Sequence, residues 1–380
     1  MSKITKDNLK KDENALAIQN KLMNQNFDSP KKKIDNLFNA PKTGIKSNSQ
    51  SQSNSKYGFS PNMNSIKNEL SLSPLLKAKD ESIFSLTPMT LDDKQPDKLK
   101  IKIKTANKSK AGNNGGQPKT NQDSSLCKLS GLKKDGFNLF SVMDGHGSHG
   151  HFISNSVKTL FQDFILKSSH YENTGQLSSF IKKVRDKDYD LLKRCFQFCE
   201  TSLAKSKYEV NFSGTTAVLV LQFDDLLICA NTGDSRAILC SSDGIKPLSI
   251  DHKPEVEAEK QRIVSNGGRV EKFNDGGEYV GPYRVWLKYE DYPGLAMSRS
   301  LGDFVSKSVG CSCIPEIIEE RISSTSQFLV VASDGVWEFL DNEAVYKIVE
   351  PYYKKQDPEG ASHKLIDEAA KLWKQVSKIF

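Results

Sequence analysis

Residues 106–380 predict an α+β fold, and three observations carry that expectation. Three short β-type runs lie together in mid-chain. A pair of long helical patterns precedes them, and another pair follows. Grouping of this kind argues for sheets covered by helices rather than for strict β-α-β alternation.

The elements follow in order. "FNLFSVMD" (137–144) is an apolar-rich strand that ends in an acid. In "HFISNSVKTLFQDFILKSS", Phe152, Ile153, Val157, Leu160, Phe161, Phe164 and Ile165 recur at helical spacing, and a second helical stretch covers about 177–206. "TTAVLVLQF", "LLICANTG" and "RAILCSS" read as strands, the first two joined by a tight "DD" hairpin turn. A helix is expected over 254–265, with Pro254 in its first turn and Gly267 and Gly268 at its stop. "FLVVASDG" (328–335) is another buried-looking strand ending in an acid. Helices are expected in "DNEAVYKIVEPYY" and "PEGASHKLIDEAAKLWKQV", with Asp341 and Asp357 as caps or first-turn acids.

Composition separates this body from what precedes it. Residues 1–110 hold 21 Lys, no Arg and 11 acidic residues, a net of +10 that leaves −3 of the chain's +7 for the rest. Rich in Lys, Asn and Ser and poor in aromatics, residues 1–105 cannot bury enough apolar surface to offset the entropy of ordering. They are expected to form a disordered basic arm, apart from a short helix in "ENALAIQNKLMNQ". The arm reads either as a solvated linker or as a regulatory segment phosphorylated at Ser29, Ser60, Ser73 and Thr87, each followed by Pro. No aromatic interleaving supports nucleic-acid binding. No charged-then-apolar signal opens the chain, and no apolar run reaches the roughly eighteen residues of a membrane span. With seven Cys, an odd number, this favours reduced thiols in an intracellular protein, cytoplasmic or nuclear, and no membrane partner.

Two apolar strands each end in Asp-Gly, at Asp144–Gly145 and at Asp334–Gly335. One such ending is ordinarily a turn. Two behind buried strands suit another arrangement, in which the carboxylates emerge together at one sheet end and need a cation. Hard oxygen donors favour Mg²⁺ or Mn²⁺ over zinc. Asp234, Asp303 and Asp123 offer further acids in the same style. His146, His149 and His151 are the competing zinc ligands, but their spacing does not suit one helix face. A single His beside carboxylate-held metal is the better proton carrier, with His149 and His151 ordinary residues of the next helix.

"NQDS", "VMDGHG", "SGTTA", "ANTGDSRAIL", "DHKP", "NGGRV", "LAMSRSLGDF", "PEI" and "VVASDGVWEFLDNEAV" occur in this order. Together they resemble the type 2C metal-dependent serine/threonine protein phosphatases over residues 106–380. The resemblance implies a four-layer sandwich: two packed antiparallel sheets flanked by helices. It implies a monomeric phosphatase that hydrolyses phosphoserine and phosphothreonine in proteins by a hydroxide bridging two Mn²⁺ or Mg²⁺ ions, with a weaker third. Residue by residue, Asp144 matches the acid that bridges the ions, and the Gly145 carbonyl matches a further ligand. Asp334 matches a direct ligand, and Asp123 an acid that holds metal-bound water. Asp234 and Glu338 match residues of the third metal, and His146 the general acid.

Three departures from the family pattern stand out. Gln122 replaces a Glu common in the family. No Arg precedes Asp123, so Lys119 is the candidate for gripping substrate phosphate, as a point charge without a bidentate fork. Family members also continue past the last helix into a strand bearing one more ligand acid, whereas this chain stops at "KLWKQVSKIF". The final strand is thus expected to be missing and the catalytic domain truncated. A piece of a longer product, a weakly active enzyme and a dead phosphoprotein-binding relative all fit that ending.

Overall fold

The computed structural model describes residues 83–86, 89–90, 100–114, 117–129, 136–170 and 177–376. These residues build a sandwich of two antiparallel sheets with helices outside both. One sheet runs β9 (Gly244–Pro247), β8 (Arg236–Ser241), β15 (Ser326–Ala332), β1 (Ile83–Leu86), β2 (Lys104–Asn107). The other runs β13 (Leu301–Gly302), β5 (Gly214–Thr215), β4 (Asn138–His146), β6 (Ala217–Phe223), β7 (Leu226–Thr232), β14 (Glu316–Arg321), and β3 (Asp123–Lys128) pairs with the free side of β4.

The alternation of β4 shows how the layers form. Side chains two apart on a strand share a face. Phe140 and Val142 face the other sheet, packing with Val218, Val220, Leu329 and Val331. Leu139 and Met143 face outward into a second core, made with Ile153, Val157, Phe161 and Ile165 of α1 (Gly150–His170). The same core takes Leu192, Cys195, Phe196 and Cys199 of α2 (Leu177–Ala204). Each fully buried side chain of this size contributes about 1.5–3 kcal/mol.

On the opposite face, Phe328 and Val330 of β15 meet α6 (Asn342–Lys354) and α7 (Pro358–Val376) through Val345, Val349, Ala361 and Leu365. As expected, Asp341 caps α6 by accepting the Ala344 N–H at 2.8 Å, and Asp357 accepts the Gly360 N–H at 2.9 Å. The hairpin at Asp224–Asp225 joins β6 to β7, with Asp224 in a left-handed conformation (φ 50°).

Several features differ from the sequence reading. Strand β1 lies between β15 and β2, with Phe84 opposite Val330 and Ala106. A strand is therefore present inside the stretch 1–105 read as disordered, because a short, largely apolar segment can complete a sheet edge to edge with its neighbours. The helix expected from 254 is α3 (Glu257–Ser265), and Pro254 falls in the turn before it; the one-turn α4 (Phe304–Lys307) lies farther along the chain. A three-stranded ladder, β10 (Gly268–Asp275), β11 (Glu278–Leu287) and β12 (Pro293–Leu295), was not legible. Helix α2 is broken at Asp186–Tyr189, where Lys187, Asp188 and Tyr189 all have positive φ. The short helix proposed for the arm and the four Ser/Thr-Pro sites lie outside the described residues. All seven cysteines are free, five of them buried. Among the described residues no helix is long and apolar enough to cross a membrane.

Candidate active site

Strand register brings the first two acids together. Asp123 opens β3 directly opposite Asp144 near the end of β4. By the alternation of β4, Asp144 shares the face of Phe140 and Val142 and so looks toward the other sheet. Its backbone is saturated from the "SGTTA" segment. The Asp144 N–H donates to Thr216 Oγ1 at 3.0 Å, and its carbonyl accepts from the Thr216 N–H at 2.9 Å and the Thr215 hydroxyl at 3.0 Å. Its carboxyl group in turn meets the carboxyl groups of Asp123 and Asp334.

The other sheet supplies Asp334. Its strand β15 stops at Ala332, and Asp334 starts the single turn α5 (Asp334–Trp337), so the acid opens a helix rather than ending a strand. Ser333 Oγ donates to Asp123 Oδ2 at 3.1 Å across the two sheets. Asp234, only 2 % exposed, sits in the turn between β7 and β8. Glu338 is exposed at the end of α5, close enough to Asp334 for its charge to be felt there.

Electrostatics confirm that these acids form one rim. Burial pushes the Asp123 carboxyl up to about 6, assisted by the charge of Asp334. Asp144 is driven well above the carboxylate range by burial and by the charges of Asp123, Asp334 and Asp234. Burial and Asp234 raise Asp334 as well. Like charges directly opposite across a ladder destabilise it, so this rim is short of positive charge.

One cation is built in. Lys253, from "DHKP", contacts Asp234 Oδ2 at 2.5 Å, while Asp234 Oδ1 is buried without a partner among the described residues. Sequence reasoning missed Lys253, because only a fold brings it across nineteen residues to Asp234.

His146 stands two residues past Asp144, where β4 pairs with β5. Its Nε2 lies 2.7 Å from Oδ2 of Asp303, itself 2 % exposed. Burial alone would lower the His146 pKa, but the Asp303 carboxylate outweighs it and raises it. Asp303, noted as one more acid in the style of the metal-holding ones, thus turns to the histidine.

The remaining sequence candidates resolve as follows. A Cβ on Gly145 would collide with the backbone carbonyls of Gly150 and Gln122, so this glycine is required by close packing of chain on chain. Gly150 in turn keeps the Gly145 carbonyl bare, since a Cβ there would lie 3.1 Å from that oxygen. Gln122, which stands where the family commonly has Glu, donates from Nε2 to the Gly147 carbonyl at 2.7 Å and clamps the turn. His149 Nδ1 accepts the Glu209 N–H at 2.6 Å, which takes it out of any shared zinc site. Lys119 is exposed, with its N–H bonded to the Gly112 carbonyl at 2.8 Å. Among the described residues no ion pair joins it to an acid of the rim.

Among the described residues, no three acid, histidine or cysteine side chains are arranged as they stand to hold a metal ion. What fits a divalent cation is the charge and the donor chemistry. Three carboxyl groups are pushed up by burial and each other, a fourth has a buried oxygen with no partner, and every donor is a hard oxygen. Asp144, Asp334, Asp123 and the Gly145 carbonyl would hold such ions, with Asp234 and Glu338 beside them.

Comparison with known proteins points the same way. A family model described as Protein phosphatase 2C matches residues 107–373. The chain is 35 % identical to the probable protein phosphatase 2C 61 of Arabidopsis thaliana, over 67 % of this chain and 75 % of that one. It is 38 % identical to the probable protein phosphatase 2C 65 of the same plant, over 61 % of this chain and 63 % of that one. Among solved structures it is similar to the serine-threonine phosphatase 2C from Toxoplasma gondii, with a TM-score of 0.55 and 20 % identity over 68 % of this chain and 87 % of that one. At that identity the likeness speaks for the fold.

Proposed function

The chain belongs to the protein phosphatase 2C family of serine/threonine protein phosphatases, and from that premise we propose that it hydrolyses phosphoserine and phosphothreonine in proteins with Mn²⁺ or Mg²⁺ bound at the acid rim. The observation that carries the reading is the meeting of Asp123, Asp144, Asp234 and Asp334 at one end of two packed sheets.

Divalent ions held there supply two things: a water acidic enough to attack phosphorus near neutral pH, and positive charge opposite the phosphoryl oxygens. The chain's own residues do the rest. Asp144 and Asp334 would hold the ions from opposite sheets of the sandwich. Asp123, tied to Ser333, orients water at the rim. His146 delivers a proton to the departing Ser or Thr oxygen, which would otherwise leave as a poor alkoxide. Lys119 is the proposed phosphate contact. Residues 106–380, completed by β1 and the start of β2, carry this catalytic domain, and the Lys-rich segment ahead of β1 is an arm. The buried, free thiols support a reducing, intracellular setting for a monomeric enzyme acting on phosphorylated proteins.

The test is phosphate release from a phosphothreonine peptide by the full chain with Mn²⁺. Turnover that EDTA abolishes and added Mn²⁺ restores is the expected result. A folded full-length chain that releases no phosphate at any Mn²⁺ or Mg²⁺ concentration would end the proposal.

A further inference from the structure

Asp303 combines an unusual backbone conformation with a carboxylate turned onto His146. Three edge segments lie side by side: Gly145 and His146 of β4 pair with Gly214 and Thr215 of β5, which pair with Leu301 and Gly302 of β13. Asp303 follows at once, in the left-handed region (φ 51°, ψ 49°) that an aspartate adopts only at a cost. The surroundings over-determine it. Its N–H donates to the Ser213 carbonyl at 3.1 Å, and its carbonyl accepts the Lys307 N–H at 3.1 Å. The preceding Gly302 N–H is anchored on Glu200 Oε2 at 2.9 Å, and Lys307 reaches the Ser300 carbonyl.

Space for the carboxylate is also reserved. A Cβ on Gly214 would collide with Asp303 Oδ2, so glycine at that position is what lets the oxygen sit 2.7 Å from His146 Nε2. The imidazole is therefore gripped through Nε2. Its other nitrogen, Nδ1, is buried and has no partner among the described residues. A ring nitrogen left open this way is the one that a water or a substrate oxygen completes.

We infer that Asp303 is the positioning residue of the site: it accepts the Nε2–H of His146 and thereby fixes the ring. In the imidazolium form the second proton, on Nδ1, then faces the leaving oxygen and passes to it, leaving the neutral Nε2–H ring. The inference rests on the proposed phosphatase reaction for its kinetic consequence, but the geometry of the pair stands apart from it. A carboxylate that orients a histidine while touching no substrate is a known division of labour in hydrolases.

The experiment compares wild type, Asp303→Asn, His146→Ala and the double variant, all as full chains. Asn suits the left-handed backbone, which favours folding of the single variant. Two substrates are used with Mn²⁺: a phosphothreonine peptide, whose alkoxide needs a proton to depart, and 4-nitrophenyl phosphate, whose phenolate does not. Asp303→Asn is expected to slow the peptide about 100-fold and the aryl ester only a few-fold, and to add nothing to His146→Ala. Equal losses on both substrates, or losses that multiply with those of His146→Ala, would overturn the inference. Ring ¹⁵N spectra of the metal-free protein give a second readout. His146 should carry its proton on Nε2 in wild type, and Asp303→Asn should redistribute it. A wild-type ring protonated on Nδ1 alone would also overturn the inference. Should wild type hydrolyse neither substrate, the phosphatase reading fails while the ring spectra still decide the pair. Should Asp303→Asn not fold, the wild-type spectrum decides alone.

Discussion

Two places in this molecule bury carboxylates, and they treat them in opposite ways. Glu259 of α3, 4 % exposed, is saturated. Arg262 meets it with two N–H groups at 2.7 Å each, Arg299 with one at 2.7 Å, and Ser298 with its hydroxyl at 2.5 Å. Burial by itself would raise its pKa, but these bonds overwhelm that and hold it far below the usual range. At the acid rim, Lys253 pairs with Asp234, and the other three carboxyl groups, Asp123, Asp144 and Asp334, are pushed up instead. The chain therefore has the means to neutralise a buried acid with its own arginines and does so where the purpose is architecture. Where it withholds them, neutralisation is left to protons or to a cation from outside the chain.

The largest effect that would sharpen this contrast is at the saturated acid. Glu259→Gln strands two guanidinium groups and should destabilise the fold by about 3–5 kcal/mol, read from urea unfolding without metal. Loss of under about 1 kcal/mol would erase the distinction. At the rim the same kind of change should act in the reverse sense on stability. Asp144→Asn relieves repulsion, so it should raise the melting temperature of chelated protein. It should also cost at least about 100-fold in Mn²⁺-dependent turnover and remove the Mn²⁺-induced rise in melting temperature.

Acidity separates the two places next. The folded Asp123, at about 6, lies above its ordinary 3.8, so the native state holds the extra proton between those values. Metal-free stability should rise as pH falls through 6, and Asp123→Asn should flatten that rise. Glu259 behaves oppositely, because its folded value lies below the ordinary 4.5. Its contribution is complete above 4.5 and drains away as pH drops further, a loss that Glu259→Gln should cancel. Melting curves in EDTA across this range check both signs. The smallest effect concerns the one built-in cation. Lys253→Met frees Asp234 and should enlarge the Mn²⁺ stabilisation by under about 1 kcal/mol, measured by titration calorimetry beside thermal melts. A reduced Mn²⁺ response would mean that Lys253 helps to gather the ions rather than competing with them.

The sequence made the sandwich readable where periodicity was strong. The apolar stripe of α1, the Asp224–Asp225 hairpin and the caps Asp341 and Asp357 rest on local spacing, and local spacing survives in a string of letters. The nearness of Asp144 and Asp334, felt in their charges, was legible in two Asp-Gly pairs behind apolar strands. The ladder from Gly268 to Leu295 stayed hidden because most of its side chains face solvent and leave no apolar rhythm. Strand β1 was hidden by its polar, lysine-rich neighbours. Partner choice was the least legible property. Nothing in "SLGDF" says that its acid turns to His146, or in "DHKP" that its lysine seeks Asp234, since each pair is closed only by tertiary contact.

The free thiols are distributed in a way that makes the molecule self-reporting. The core under α1 and α2 contains Cys195 and Cys199, the one between the sheets Cys229, the one beneath α6 and α7 Cys240, and the one below the solvent-facing ladder Cys311. An alkylating reagent can reach each sulfur only when its own layer parts. The order in which these sites are labelled would therefore time the opening of the four interiors separately, with no engineered probe.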